Sequence, residues 1–198
     1  MKKLPLILCL LLLPTFSYAG GGMMLGIVGG GTPAAAPSCA GVNTYYGDND
    51  NVGDLNLGGY TVWNHDHTIT VTTGGTICAI TTVVRRSSAG SPTVRMAVYS
   101  ADGTTLICQC DAAITLSNDA FAEQSCAYPH LTGTCTVLSA TNYTIAVTAS
   151  AITNIRGDAG QTNGAIQYNN TDYSAGFPAS LPAGTDYTYH FDARIGVQ

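Results

Sequence analysis

The sequence predicts an all-β fold, an antiparallel β-sandwich stapled by disulfide bonds. Three observations lead to this prediction. Short segments rich in Thr, Val and Ile alternate between apolar and polar residues, which is the two-residue period of a strand with one buried face. Turn residues separate these segments at close intervals, and no segment after residue 42 sustains a helical period. Six cysteines follow an N-terminal export signal, and exported proteins are where disulfides form.

Individual strands follow from the alternation. Thr93–Tyr99 has apolar residues at every second position, which predicts a half-buried strand, and Tyr143–Thr148 and Ile69–Val71 repeat the pattern. Ile77–Val84 is apolar on both faces, which predicts a strand in the middle of a sheet. Asp102-Gly103 lies between two such segments and predicts a tight hairpin, because this pair tolerates the positive φ angles that short connections need.

The first 19 residues have the order of a secretory signal peptide. The Lys2-Lys3 pair precedes an apolar run, Leu4 to Leu13, and Ser17 and Ala19 supply the small residues before a cleavage site. The run is too short to span a bilayer. We therefore expect cleavage after Ala19, no membrane span in the mature chain, and a protein secreted to the extracellular space, the cell surface or the periplasm.

Residues 20–42 are predicted to form a flexible arm or linker, because their Gly, Ala and Pro content cannot bury a core. Met23 to Val28 forms an apolar island within this arm. The island fits a sticky linker or, alternatively, a strand that docks onto a neighbouring sheet. Residues 43–198 are then the β-sandwich domain, long enough to bury a core of its own.

Charge excludes several partners. Signal cleavage removes both lysines, so the mature chain carries five arginines and twelve acidic residues. Nucleic acids and anionic membranes are bound through an excess of cations, so we expect neither as a partner. Without lysine the mature chain also has no means of Schiff-base chemistry, of P-loop phosphate binding or of Lys–Asn isopeptide bonds.

Cysteine usage predicts a disulfide framework. Cys9 lies inside the signal, and an even number of cysteines remains: Cys39, Cys78, Cys108, Cys110, Cys126 and Cys135. We expect three disulfides. Cys108 and Cys110 would share one face of a strand and are expected to take different partners rather than each other. The favoured arrangement joins them to Cys126 and Cys135 and joins Cys39 to Cys78, but the sequence leaves other connectivities open.

A family resemblance supports the fold. Val94–Leu106, followed by Leu138–Val147, resembles the jelly-roll β-sandwich modules of bacterial extracellular and phage-associated proteins, which are similar to carbohydrate-binding modules. The likeness covers roughly residues 60–198. It implies a jelly-roll-like sandwich more than any activity. Two positions depart from the pattern: Ala140-Thr141-Asn142 replaces a Gly-Thr turn, and Thr144 stands where the family often has a tryptophan that could stack on sugar.

No catalytic signature is present in the sequence. The chain has no G-x-S-x-G elbow and no H-E-x-x-H motif. Glu123 is its only glutamate, and no spacing singles out a pair of facing carboxylates such as a glycosidase uses. We therefore expect a protein that is not an enzyme.

Two segments are candidates for metal binding. The loop Gly47–Asp54 is oxygen-rich and suits structural calcium, with Asp48, Asp50 and Asp54 as candidate ligands, although it does not fit the EF-hand pattern. The alternative is a solvated loop of Asx turns. His65-Asp66-His67 places two imidazoles on one strand face, a spacing that can bind zinc or copper, but no third ligand is evident and exposed strand histidines are the favoured interpretation.

A tyrosine-rich stretch is the candidate ligand site. Between residues 167 and 178, aromatic rings alternate with amides and carboxylates, the mixture that stacks on sugar rings and pairs with sugar hydroxyls. The alternative is a packing or subunit contact. The candidate ligand-binding residues are Tyr168, Asn169, Asn170, Asp172, Tyr173 and Phe177.

The sequence therefore predicts a secreted, non-catalytic β-sandwich that binds an extracellular glycan or another cell-surface ligand through loop aromatics at one end of the sandwich. The rival hypothesis is a structural subunit of an extracellular filament or surface assembly. In that case Met23 to Val28 would insert as an extra strand into a second copy of the chain, forming a homo-oligomer.

Overall fold

The computed structural model describes residues 38–57, 61–64, 68–87, 90–151, 153–159, 165–169, 173 and 175–198. All of these residues belong to one compact unit. The predicted signal peptide, the apolar island Met23 to Val28 and the His65–His67 pair lie outside the described residues.

The predicted fold class is confirmed. The described residues form two antiparallel sheets that pack together as a β-sandwich. No helix long and apolar enough to cross a membrane occurs in the described part of the chain. We call the two sheets the back sheet and the front sheet.

The back sheet is built on its longest strand, β5 (Gly75–Arg86). One edge of β5 pairs with β9, and the other pairs first with β16 and then with β13. β1 continues the sheet beyond β16, β2 beyond β13, and β11 pairs with the start of β5. The bounds of these strands are β1 Thr44–Asp48, β2 Asp54–Asn56, β9 Ala122–Ala127, β11 Thr136–Val137, β13 Thr153–Ala159 and β16 Ala193–Val197.

The front sheet has the strand order β10-β7-β6-β12-β3-β14-β15. Two short strands complete it: β4 pairs with β12, and β8 pairs with β6. The bounds of its strands are β3 Thr61–Asn64, β4 Ile69–Val71, β6 Thr93–Ser100, β7 Leu106–Cys110, β8 Ile114–Thr115, β10 Leu131–Gly133, β12 Thr141–Ala149, β14 Ala165–Asn169 and β15 Thr185–Phe191. β15 joins the sheets, because Thr185–Thr188 pairs with β14 and Tyr189–Phe191 pairs with β13.

One large core lies between the sheets. The front sheet contributes alternate residues of β6 and β12 to it, and the back sheet contributes alternate residues of β5, β13 and β16, as the two-residue period of a strand requires. Among the fully buried members are Met96, Val98, Ile145, Val147, Ile80, Ile155 and Ile195.

The strand predictions are confirmed by this architecture. β4, β6 and β12 lie on the predicted segments, and β5 is a central strand with neighbours on both edges. Ser100 and Thr105 close the predicted hairpin with a backbone bond of 2.9 Å, and Gly103 takes a positive φ of 70° in its turn. One expectation was wrong: β6 and β12 are buried on both faces rather than one. A later segment of the chain covers their outer face.

Candidate functional site

The outer face of the front sheet carries a second, smaller hydrophobic cluster. Residues 173 and 175–181, which follow β14, lie across β6 and β12 there. The cluster consists of Ala97, Tyr99, Ala146 and Phe177, with Leu106, Tyr173 and Leu181 packed against it. Two backbone bonds close this cover, from Leu106 N–H to the carbonyl of Ala179 and from Leu181 N–H to the carbonyl of Gly103, at 2.9 and 2.8 Å.

Phe177 is the centre of this cluster. Its ring meets Tyr99 edge-on at 6.3 Å between centroids, and its backbone N–H donates to Oε1 of Gln109 at 2.9 Å. Only 7% of Phe177 is exposed. Phe177, a predicted ligand contact, is therefore positioned as a packing residue that holds the segment on the sheet.

Tyr99 on β6 holds the same covering segment against the front sheet. It is fully buried, and its hydroxyl donates to the carbonyl of Pro178 at 2.6 Å. Burial, reinforced by the neighbouring Tyr173, raises the pKa of the Tyr99 phenol well above its usual value. Tyr99 therefore stays neutral and keeps the proton that it donates to Pro178.

Tyr173 differs from Phe177 because it is only partly buried. Its ring leans on that of Phe177, with 5.8 Å between centroids and 38° between planes. Its backbone N–H donates to Oγ1 of Thr148 at 3.1 Å, and Thr61 Oγ1 donates to the same oxygen at 2.9 Å. Because Thr61 and Thr148 are fully buried, this hydroxyl pair fixes the backbone of Tyr173 against the sheet.

The register of the front sheet aligns Asn169, another predicted ligand residue, with Thr61 and Thr148. Asn169 on β14 pairs with Thr61 on β3, and Thr61 pairs in turn with Thr148 on β12. Asn169, Thr61 and Thr148 thus lie in one row across the sheet, and Tyr173 is bonded to Thr148. We call this row, together with Tyr173, the β14 face.

The structure describes the remaining predicted ligand residues only in part. Tyr168 and Asn169 lie in strand β14, whereas the sequence predicted a loop at one end of the sandwich. The structure describes their backbone, and Asn170 and Asp172 lie outside the described residues.

Arg95 is a polar residue of this face that the sequence reasoning missed. It pairs with Thr148 in register, is 5% exposed, and donates from Nε and Nη2 to the carbonyl of Cys110 at 2.9 and 2.6 Å. Nη2 also donates to the carbonyl of Asp111 at 3.0 Å. Alternation assigned Arg95 to a solvent-facing position. The one available signal was the aromatic and proline content of residues 173–181, which is typical of a covering segment.

An open cleft of about 540 Å³ at the β6–β7 hairpin is a competing location, since it does lie among loops. Asp102 lines it and accepts hydrogen bonds from Ser100 and Thr104. These bonds lower the pKa of Asp102 to about 2, so it is a carboxylate at neutral pH. The described residues that line this cleft include no aromatic ring: Ser100, Ala101, Asp102, Ala140, Thr141 and Asn142. It therefore offers no stacking surface for a sugar.

The predicted calcium ligands do not assemble into one site. Asp48 and Asp50 form an Asx turn in which Asp50 N–H donates to Asp48 Oδ1 at 3.3 Å. Asp54 instead pairs with Arg85 at 2.6 Å and accepts a hydrogen bond from Asn154. Within the described residues no group of three or more His, Cys, Asp or Glu side chains could hold a metal ion.

Asp48 belongs to a polar cluster that the sequence did not reveal. Asn51 Nδ2 donates to Asp192 Oδ1 at 2.5 Å and to Asp48 Oδ2 at 3.2 Å, and it contacts His190 Nε2 at 2.9 Å. Asp192 is 1% exposed. Burial, together with the charges of Asp48 and Asp50, raises the pKa of Asp192. The cluster therefore holds a buried carboxyl that resists ionisation.

Two disulfides are present in the described residues. Cys39–Cys78 confirms its predicted pairing, and Cys108–Cys135 is one of the predicted alternatives for Cys108. Cys110 and Cys126 carry thiols in this structure, so the expected third bond is not formed in it. The disulfides that are present indicate folding in an oxidising, non-cytoplasmic compartment.

No protein-family model matches this chain, and no curated protein matches it.

Proposed function

We propose that the protein is a secreted, non-catalytic β-sandwich that binds an extracellular glycan on the β14 face. The observation that carries the proposal is the position of Tyr173. Tyr173 is only partly buried, its ring rests on the ring of Phe177, and its backbone N–H is bonded to Thr148. A ring held in this way loses little side-chain entropy when it stacks on a sugar.

An amide group completes the expected recognition chemistry. Asn169 lies in the row whose Thr148 binds the backbone of Tyr173, and planar amides pair with sugar hydroxyls while aromatic faces contact the C–H faces of the ring. The resemblance of the β6 and β12 segments to jelly-roll modules supports the sandwich fold on which this site is built. The two disulfides fit a protein that works outside the cytoplasm.

The test is a glycan array probed with the exported mature protein, followed by titration of any glycan that binds. Tyr173→Ala should weaken binding at least about tenfold, equivalent to about 1.4 kcal/mol, while Tyr173→Phe retains most of the affinity because the ring is kept. Tyr128→Ala is the matched control, since Tyr128 is an exposed tyrosine, 42% accessible, outside the β14 face. Unchanged binding by Tyr173→Ala contradicts the site, and an array without any bound glycan contradicts the ligand class.

The anchoring of the arm favours a structural subunit as a second candidate function. Cys39, near the C-terminal end of the predicted arm, is bonded to Cys78 on β5, and Ala40 N–H donates to Oε1 of Gln198 at 2.8 Å. A load on the arm would thus reach the central strand of the back sheet through a covalent bond. Such an arm suits strand addition to a second copy of the chain.

Size-exclusion chromatography of the mature chain with and without residues 20–38 separates the two functions. Polymers that disappear with the arm favour the subunit. A monomer in both cases favours the binder.

A further inference from the structure

Cys110 and Cys126 bring two thiols together from opposite sheets. Cys110 is the last residue of β7 in the front sheet, and Cys126 belongs to β9 in the back sheet. Both lie in the main core, 0% and 4% exposed. Their side chains hydrogen-bond to each other, so the sulfur atoms face one another across the sandwich.

The surrounding backbone holds both residues in place. The carbonyl of His130 accepts a hydrogen bond from Sγ of Cys126 at 3.0 Å and another from the N–H of Asp111 at 3.1 Å. Cys110 itself pairs with Leu131 on β10, and Cys126 pairs with Ile80 on β5. The carbonyl of His130 therefore links the two segments that carry the thiols.

We propose that Cys110 and Cys126 are a thiol pair that closes to a third disulfide and crosslinks the two sheets when the chain folds in an oxidising compartment. The other four cysteines of the described chain are already in disulfides, so the pair has no competing partner once those bonds exist. The existing bonds join other segments: Cys39–Cys78 joins the arm to β5, and Cys108–Cys135 joins β7 to the segment before β11, where the carbonyl of Cys135 accepts from the N–H of Ile77 on β5.

The chemistry is thiol–disulfide exchange with a disulfide-bearing oxidant, either a protein oxidoreductase or oxidised glutathione. The thiolate of Cys110 attacks the disulfide of the oxidant, forming a mixed disulfide and releasing one thiolate of the oxidant. Cys126 gives up its proton to that thiolate and attacks the sulfur of Cys110. The Cys110–Cys126 bond forms, the second thiolate of the oxidant leaves and takes up the proton that Cys110 lost, and the oxidant ends as two thiols.

In the folded protein the two thiols differ in acidity. The hydrogen bond with Cys126 lowers the pKa of the Cys110 thiol against the opposing effect of burial, and the charge of Arg95 adds to the lowering. The same contact and burial raise the pKa of Cys126 well above its usual value. Because both cysteines are buried once the sandwich has closed, the exchange with the oxidant takes place before the sheets close over them.

The experiment uses the mature chain exported to an oxidising compartment. The protein is denatured without reductant, treated with a thiol-alkylating reagent, and mapped by mass spectrometry after peptic digestion. We expect no alkylated cysteine and a crosslinked peptide pair that contains Cys110 and Cys126. Alkylation at both residues, or a crosslink from either one to another cysteine, overturns the proposal.

Single variants provide the matched check. Cys110→Ala and Cys126→Ala should each expose one alkylatable thiol, at Cys126 and Cys110 respectively, and the double variant should expose none. Where a single variant is too unstable to be exported, the chain purified from a reducing host is refolded in glutathione buffers of increasing oxidation. Loss of alkylation at Cys110 and Cys126 in step supports the pair, and loss at either residue alone overturns it.

Discussion

Replacing Phe177 with alanine tests the central structural claim, that residues 173–181 form a true second core on the outer face of the front sheet. Phe177 is 7% exposed, and truncating a buried phenylalanine costs about 3–5 kcal/mol. Its edge-on contact with Tyr99 supplies about 0.5–1.5 kcal/mol of that loss. Because this cluster is small and near the surface, part of the space can collapse, and we expect a loss of about 3 kcal/mol.

Urea denaturation followed by circular dichroism measures this loss as a change in the free energy of unfolding. The same loss corresponds to a melting temperature lower by about 6–12 °C for a domain of this size. Phe177→Leu retains most of the apolar volume and should cost only about 1 kcal/mol. Leu138→Ala, at a position 66% exposed, should change stability by less than about 0.5 kcal/mol.

A Phe177→Ala variant that unfolds within about 0.5 kcal/mol of the natural protein would refute the reasoning. It would mean that the segment does not pack on β6 and β12, and that Tyr173 is not held in place for a ligand. A large loss accompanied by unchanged glycan binding would separate the packing role of Phe177 from any role in recognition.

Two further predictions concern buried polar groups. Thr148→Val removes the oxygen that accepts from the N–H of Tyr173 and from Thr61, so it should lower the free energy of unfolding by about 1–3 kcal/mol in urea; an effect no larger than that of the exposed control Thr70→Val would contradict this. Asp192 has a folded-state pKa raised above its ordinary value of 3.8, so the folded protein holds its proton more tightly, and this group's contribution to stability falls as pH rises from about 3.8 through the raised pKa. Asp192→Asn should therefore flatten the dependence of the melting temperature on pH in that window, and identical slopes in both proteins would count against the assignment.

The candidate site shows why sequence reasoning reached some residues and not others. Composition pointed to Tyr173 and Asn169, because aromatic and amide side chains are the chemistry of sugar recognition. Thr148 and Arg95 were missed because alternation places them on the outward side of a strand. Only the fold shows that another segment covers that side, so that Thr148 and Arg95 are buried and hydrogen-bond to backbone groups.

The acidic loop Gly47–Asp54 shows that sequence spacing does not predict which charged residues pair. Asp48, Asp50 and Asp54 are close in sequence and looked like one cation site. In the fold Asp54 pairs with Arg85, and Asp48 shares the Asn51 amide with the buried Asp192. Local spacing could not foresee this, because Arg85 and Asp192 lie far along the chain from the loop.

Sequence patterns were enough to predict the fold class, strands β4, β6 and β12, the hairpin at Gly103 and the central position of β5. All of these depend on alternation or turn chemistry within a few residues, which acts wherever the segment ends up. The tertiary structure alone decided what covers the outer face of the front sheet, which cysteines meet, and where the charged residues pair. These outcomes join residues that are tens of positions apart, and such contacts arise only when the two sheets close on a common core.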